Sequence, residues 1–139
     1  MSLVLLDTHT WVWLLNGDSR ICQKARASIE RSLSKEAVLL SAISPWEVAM
    51  LVSKGRLGLN RDVGEWVQAA VSISGIRVEP ISPEIVVAST RLPGNIHADP
   101  ADRFIVATAR HLDAVLVTDD RLLLDYGSAG HLKVLKAGQ

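Results

Sequence analysis

The chain reads as an α/β protein, a central parallel sheet covered by helices on both faces in a three-layer α/β/α arrangement. Short apolar runs alternate with stretches whose apolar residues recur every three or four positions, and strands separated by helices pair in parallel. The 139 residues are 48% hydrophobic and 22% charged, which suits a single domain over residues 1–139 and excludes general disorder. Ser44-Pro45, Ser82-Pro83 and Asp99-Pro100 each set a capping side chain before a proline suited to the first helical position.

Leu3–Leu6 is the first buried strand, and a helix follows over about His9–Leu15. Ile21, Ala25, Ile29 and Leu33 form the dry stripe of a second helix, with Arg20, Lys24, Arg31 and Lys35 for its wet side. Val38–Ser41 is the next buried strand, and Pro45–Lys54 the helix after it. Val63, Trp66, Val67, Ala70 and Val71 fall at i, i+3, i+4, i+7 and i+8, a helix with one buried face. Arg77–Ile81 is a buried strand, followed by helices over Pro83–Arg91 and Pro100–Leu112. Val115–Thr118 is another buried strand, and Leu132–Leu135 a weaker one. No repeat, low-complexity tract or linker-like stretch divides the chain.

No apolar run approaches the ~18–20 residues that span a bilayer. Met1-Ser2-Leu3-Val4-Leu5-Leu6-Asp7 lacks a basic n-region and a small-residue cleavage site. The one cysteine, Cys22, makes neither an internal disulfide nor a multi-cysteine metal site. These features predict a soluble cytoplasmic protein with no membrane partner. Fifteen Lys and Arg against fifteen Asp and Glu exclude a globally basic coat, but not a nucleic-acid enzyme with locally arranged charge. Four Trp, one Tyr and one Phe argue against an aromatic platform for stacking bases.

The acids are placed tellingly. Asp7 ends the first strand, and Asp119 and Asp120 follow Val115–Thr118 directly. Glu47 falls at the third position of the helix after Val38–Ser41, and Asp99 and Asp102 at the cap and third position of theirs. In a parallel sheet the helices run against the strands, so helix N-termini lie at the edge where strands end and ligands bind. The loop Leu92–Ala98 carries the chain back to that edge, since its seven residues reach ~23–25 Å when extended. Each acid alone has a structural use: Glu47 in a capping box with Ser44, Asp99 as a cap, Asp102 beside the helix dipole. Asp7, terminating a buried apolar strand, is the hardest of them to read that way. Gathering four carboxylates costs up to ~4 kcal/mol per close pair at an effective dielectric of about 20. A hard divalent cation, Mg²⁺ or Mn²⁺, offsets that repulsion through oxygen ligands.

Four segments carry a family resemblance: Leu6-Asp7-Thr8-His9-Thr10-Trp11, Ser41-Ala42-Ile43-Ser44-Pro45-Trp46-Glu47, His97-Ala98-Asp99-Pro100-Ala101-Asp102-Arg103 and Val117-Thr118-Asp119-Asp120-Arg121. Gly55-Arg56-Leu57 adds to the second. In order and spacing, over nearly the whole length, the chain resembles the PIN-domain ribonucleases, in particular the VapC-like toxins of bacterial and archaeal toxin–antitoxin pairs. The resemblance implies a PIN-like fold and a Mg²⁺- or Mn²⁺-dependent endoribonuclease that hydrolyses RNA phosphodiester bonds. It also implies a cognate antitoxin protein that blocks the acidic cleft, and a toxin homodimer. Asp7, Glu47 and Asp102 match the family's metal-binding and catalytic acids. Asp120 matches the fourth, because the pattern is Thr, any residue, Asp; Asp119 then takes the free position, unless the two exchange roles. Asp99 resembles an extra metal-binding acid, direct or through water. Ala101 departs from the Phe that relatives often carry, at a position that packs rather than coordinates.

Thr8 and Thr118 read as hydrogen-bond partners of these carboxylates or as ordinary strand-end threonines. Lys54, Arg56 and Arg61 either grip RNA phosphates or form a solvated charged face. Arg103 and Arg121 are candidate salt-bridge partners or phosphate clamps. His97 is a proton-transfer candidate or a surface group, ahead of His9, His111 and His131. Trp11, Trp13, Trp46 and Trp66 read as packing residues of the core or a subunit interface. Two other functions share features with this pattern. An aspartate-nucleophile phosphatase also ends its first strand in Asp, but wants a second Asp where His9 stands, and an essential lysine. A non-catalytic protein-binding module would use the acids only as caps.

Overall fold

The computed structural model describes residues 3–96 and 98–139. Five strands, β1 (Val4–Leu6), β2 (Val38–Ser41), β3 (Ile76–Glu79), β4 (Val115–Thr118) and β5 (Val134–Lys136), form one sheet ordered β3-β2-β1-β4-β5. Every pairing is parallel, and Val4 stands opposite both Val38 and Val115. The helices are α1 (Thr8–Leu15), α2 (Gln23–Ser34), α3 (Ile43–Ser53), α4 (Val63–Val71), α5 (Pro83–Ser89), α6 (Pro100–Leu112) and α7 (Arg121–Ser128).

Side chains of a strand alternate between faces, and here both faces are covered, so the central strands are apolar throughout except where β2 and β4 end in buried Ser41 and Thr118. Val4, Leu6, Val38, Leu40 and Val117 pack with Trp11, Ile29, Val48 and Trp66 on one side. Leu5, Leu39 and Leu116 pack with Ile105, Val106, Leu123 and Tyr126 on the other. Trp11 and Trp66 meet edge to face at 4.9 Å, and both are buried. Trp46 is 54% exposed, outside the core altogether. Among the described residues, no helix is long and apolar enough to cross a membrane.

Several elements differ from expectation. β3 is not a buried strand: Arg77 and Val78 are exposed, because β3 forms one edge of the sheet. α3 starts at Ile43 rather than Pro45, with Ser41 Oγ accepting the Ile43 amide at 3.2 Å. Pro45 is tolerated there because amides of the first helical turn have no intrahelical partner. α7 is an addition, capped by Asp120, with Leu123 and Tyr126 buried three residues apart. The Ser82 and Asp99 caps form as expected, each accepting the amide three residues on.

Candidate metal centre

The ends of β1, β2 and β4 and the starts of α1, α3, α6 and α7 converge on one edge of the sheet, and the acids come with them. Asp7 caps α1, its Oδ1 accepting the Thr8 amide at 2.9 Å, and only 7% of it is exposed. Asp99 caps α6 and accepts the Asp102 amide at 2.9 Å. Asp120 caps α7 through the amides of Leu122 and Leu123. All three are therefore caps, yet they also share one cleft with Glu47, Asp102 and Asp119, a cavity of about 400 Å³.

Hydroxyls organise the carboxylates. Thr118 Oγ1 donates to Asp7 Oδ2 at 2.6 Å and accepts the Asp120 amide at 3.1 Å, tying one acid to the next. Thr8 Oγ1 donates to Glu47 Oε1 at 2.5 Å and lies 2.9 Å from Ser44 Oγ. With its one proton given to Glu47, Thr8 accepts from Ser44. Glu47 thus faces Thr8 across the cleft. The expected capping box does not form, because Ser44 is inside the helix and buried.

The electrostatics are those of crowded acids. Burial pushes the Asp102 carboxyl up to about 8, and Asp7, Asp99, Glu47 and Asp120 push in the same direction. Burial likewise raises Glu47, with Asp7 and Asp99 adding to it against the Thr8 hydrogen bond. Burial raises Asp7 against the hydrogen bonds from Thr118 and Thr8. Carboxylate oxygens of Glu47, Asp99 and Asp102 lie within 4.8 Å of one another. Neighbouring and opposite ligands of an octahedral ion with ~2.1 Å bonds stand about 3 and 4 Å apart, so small side-chain rotations close this set around one. The donors are all oxygen, the chemistry that a hard divalent cation takes.

Asp119 and Asp120 differ in what they touch. Asp120 acts electrostatically on both Asp7 and Asp102. The Asp119 Oδ1 instead accepts the Gly138 amide at 3.0 Å.

Of the five basic candidates, Arg56 alone lines this cleft. Lys54 is an exposed helix end, and Arg61 binds the Glu65 carbonyl at 3.0 Å beside a different groove. Arg103 donates to the carbonyls of Ala98 at 3.1 Å and Ile96 at 2.8 Å, fastening the loop ahead of Asp99. Arg121 faces Asp125 at 3.9 Å in an exposed pair. His97 lies outside the described residues. His111 approaches Glu84 at 3.5 Å and His131 packs on the Tyr126 ring, both away from the acids.

His9 and Trp13 line the cleft, as do Met50 and Leu51, and sequence reasoning misses this wall. The signal is positional: α1 begins directly after Asp7, so residues two and six beyond it share a helical face. No lysine stands among the described residues that line the cleft.

The PIN domain family matches residues 4–128. The chain belongs to that family. This PIN-domain chain is 34% identical over 123 residues to Ribonuclease VapC22 of Mycobacterium tuberculosis, covering 88% of this chain and 91% of that one. Its fold is also that of VapBC2 from Rickettsia felis, solved bound to a promoter DNA fragment, with a TM-score of 0.69 at 17% identity over 96% and 98% of the two chains. A toxin–antitoxin complex from Klebsiella pneumoniae superposes with a TM-score of 0.61 at 20% identity over 95% of each chain.

Proposed function

We propose that this PIN-domain protein is an endoribonuclease toxin dependent on Mg²⁺ or Mn²⁺, acting in the cytoplasm and restrained by a cognate antitoxin protein. The observation that carries the reading is the oxygen triad of Glu47, Asp99 and Asp102 beside buried Asp7, in a chain 34% identical to a ribonuclease. Glu47, Asp99, Asp102, Asp7 and Asp120 are the residues that would hold the cation. When bound, the cation supplies charge stabilisation at the scissile phosphate and at the leaving oxygen.

The residues do the rest. Thr118 and Thr8 each donate to one carboxylate oxygen, of Asp7 and Glu47 respectively, aiming both groups and favouring their charged forms against burial. Asp102, its carboxyl pushed up to about 8 by burial and by the neighbouring acids, would hold a cation as the carboxylate. Asp102 or Glu47 then accepts a proton from the attacking water. Arg56, the one basic candidate in the cleft, binds a phosphate of the strand.

An antitoxin partner is supported by the solved relatives, one of them a toxin–antitoxin complex. A guanidinium from such a partner would satisfy the same carboxylates. A second copy of the chain is the other partner this reading predicts.

The test compares RNA cleavage in Mn²⁺, Mg²⁺ and EDTA for the wild type, Asp7→Asn and Asp102→Asn. Cleavage should need the cation and vanish in both variants, while circular dichroism stays native. Near-wild-type cleavage by both variants at limiting Mg²⁺ would overturn the metal-centre assignment. Growth arrest should be relieved by a small protein encoded beside this one, and no such relief would overturn the toxin–antitoxin reading.

A further inference from the structure

The cleft has a second half that the acids leave unused. His9 and Trp13, four residues apart on α1, share the helical face that lines it. On α3, Met50 and Leu51 stand three and four residues beyond Glu47, so they prolong its face past the acids. Arg56 lines the cleft just after that helix ends.

Trp13 is half-buried and packs against the core cluster that holds Trp11 and Trp66. The Arg20 guanidinium lies over the ring at 4.9 Å from its centroid. Asp18 grips Arg20 in turn, with contacts of 3.1 Å to Nε and 2.7 Å to Nη2. The ring is therefore oriented before any ligand arrives. The cleft as a whole, about 400 Å³, lies within the ~300–1,000 Å³ that ligand pockets span.

We propose that Trp13, with Met50 and Leu51 beside it, forms a stacking subsite for one unpaired nucleobase next to the cleaved phosphate. The inference rests on the ribonuclease reading and names the residues that receive a base beside the cut. The acids fix where the reacting phosphate sits, so an adjoining nucleotide meets the uncharged wall of α1 and α3. An indole offers a flat surface to any base, and methionine adapts its shape around it. Arg56 takes the backbone phosphate beyond that base. A lone oriented ring, rather than a row of rings, makes the subsite serve a single nucleotide position.

The experiment measures KM and kcat on a single-stranded RNA oligonucleotide for wild type, Trp13→Leu and Trp13→Phe. The same oligonucleotide is also made with an abasic residue at each position flanking the cut. Trp13→Leu keeps apolar bulk against the core but has no ring, and should raise KM about 10- to 100-fold with little change in kcat. Trp13→Phe should stay within a few-fold of wild type. One abasic position should raise the wild-type KM by a similar factor and leave the Trp13→Leu value unchanged, because both remove the same contact. Should Trp13→Leu fail to fold, the abasic scan on wild type and Trp13→Phe decides: no sensitive position overturns the subsite. An abasic penalty of equal size in wild type and Trp13→Leu also overturns it, leaving the ribonuclease reading intact. No RNA cleavage by wild type in Mg²⁺ or Mn²⁺ defeats the ribonuclease reading itself, and the subsite with it.

Discussion

The Asp119 carboxylate accepts the Gly138 amide at 3.0 Å and also fills the space that a side chain at Gly138 would need, its Oδ1 standing 2.4 Å from the Cβ position. One oxygen of Asp119 is thus engaged by the segment after β5. Asp120 caps α7 through one oxygen while acting on Asp7 and Asp102.

Gly138→Ala should push Asp119 aside, and because that side chain is short and free to rotate, the cost is that of the hydrogen bond, about 1 kcal/mol. Asp119→Ala should cost about the same, and the double variant little more than either, since both changes remove one shared contact. Urea unfolding of the three variants checks this, additive losses being the contrary result. RNA cleavage should survive Asp119→Ala within a few-fold and fall by orders of magnitude in Asp120→Ala.

Thr8→Val keeps the shape of a buried side chain and removes the hydroxyl that donates to Glu47. It should cost about 1–3 kcal/mol for the Glu47 acceptor and the Ser44 donor left unpaired, and weaken Mn²⁺ binding about tenfold. Thr8→Ser should restore most of the affinity. Calorimetric titration of Mn²⁺ into all three proteins reads the effect, and unchanged affinity in Thr8→Val would deny the hydroxyl its aiming role.

The pH dependence of the metal-free protein should run opposite to that of most proteins. The Asp102 carboxyl titrates at about 8 in the fold against 3.8 in its absence, and Asp7 and Glu47 are raised too. Between about pH 4 and 8 the folded state therefore binds more protons than the unfolded chain, so stability falls as pH rises through that window and levels off above it. Metal stabilisation should have the other sign, growing as the acids ionise. Free Mn²⁺ at 100 times its dissociation constant adds about 2.7 kcal/mol, a shift in melting temperature on the order of 8–12 °C. Melting curves from pH 5 to 8 in EDTA and in Mn²⁺ test both slopes. Asp102→Asn should flatten the EDTA profile and shrink the Mn²⁺ shift, and an unchanged shift would place the cation elsewhere.

Arg103 should matter to the cation without touching it. Its two contacts to the Ile96 and Ala98 carbonyls, with the Tyr126 hydroxyl on the Pro93 carbonyl at 2.5 Å, fasten the loop that delivers Asp99. Arg103→Ala should raise the Mn²⁺ dissociation constant about tenfold, and Arg103→Lys, which lacks the planar fork that reaches both carbonyls, should fall between. Equal affinity in all three proteins would show the loop to be held without it.

Much of this protein is legible in its residues, for identifiable reasons. β2, β4, α4 and α6 fall where the apolar runs, the 3.6-residue stripe and the Asp99-Pro100 start put them, because local signal and burial agree. α7 is obscured by Leu122-Leu123-Leu124, which has no period, and by Gly127, a weak helix former near its end. The edge position of β3 depends on sheet order, which no strand declares alone. The acids are legible because strand ends and helix starts share one edge in a parallel sheet. Arg103 misleads: next to a site acid it looks like a phosphate clamp, but its partners are carbonyls that only the folded loop brings near.

The hydrogen bond from Thr118 to Asp7 joins residues 111 positions apart, and β1 finds its two neighbours at Val38 and Val115. A chain growing on a ribosome thus carries Asp7 and Glu47 long before Asp99, Asp102 and Asp120 exist. Non-local contacts of this kind form last, after the intervening chain has been closed into a loop. The carboxylate cluster is incomplete on an unfinished polypeptide, so truncated products that lack Asp99, Asp102 and Asp120 should show no RNA cleavage.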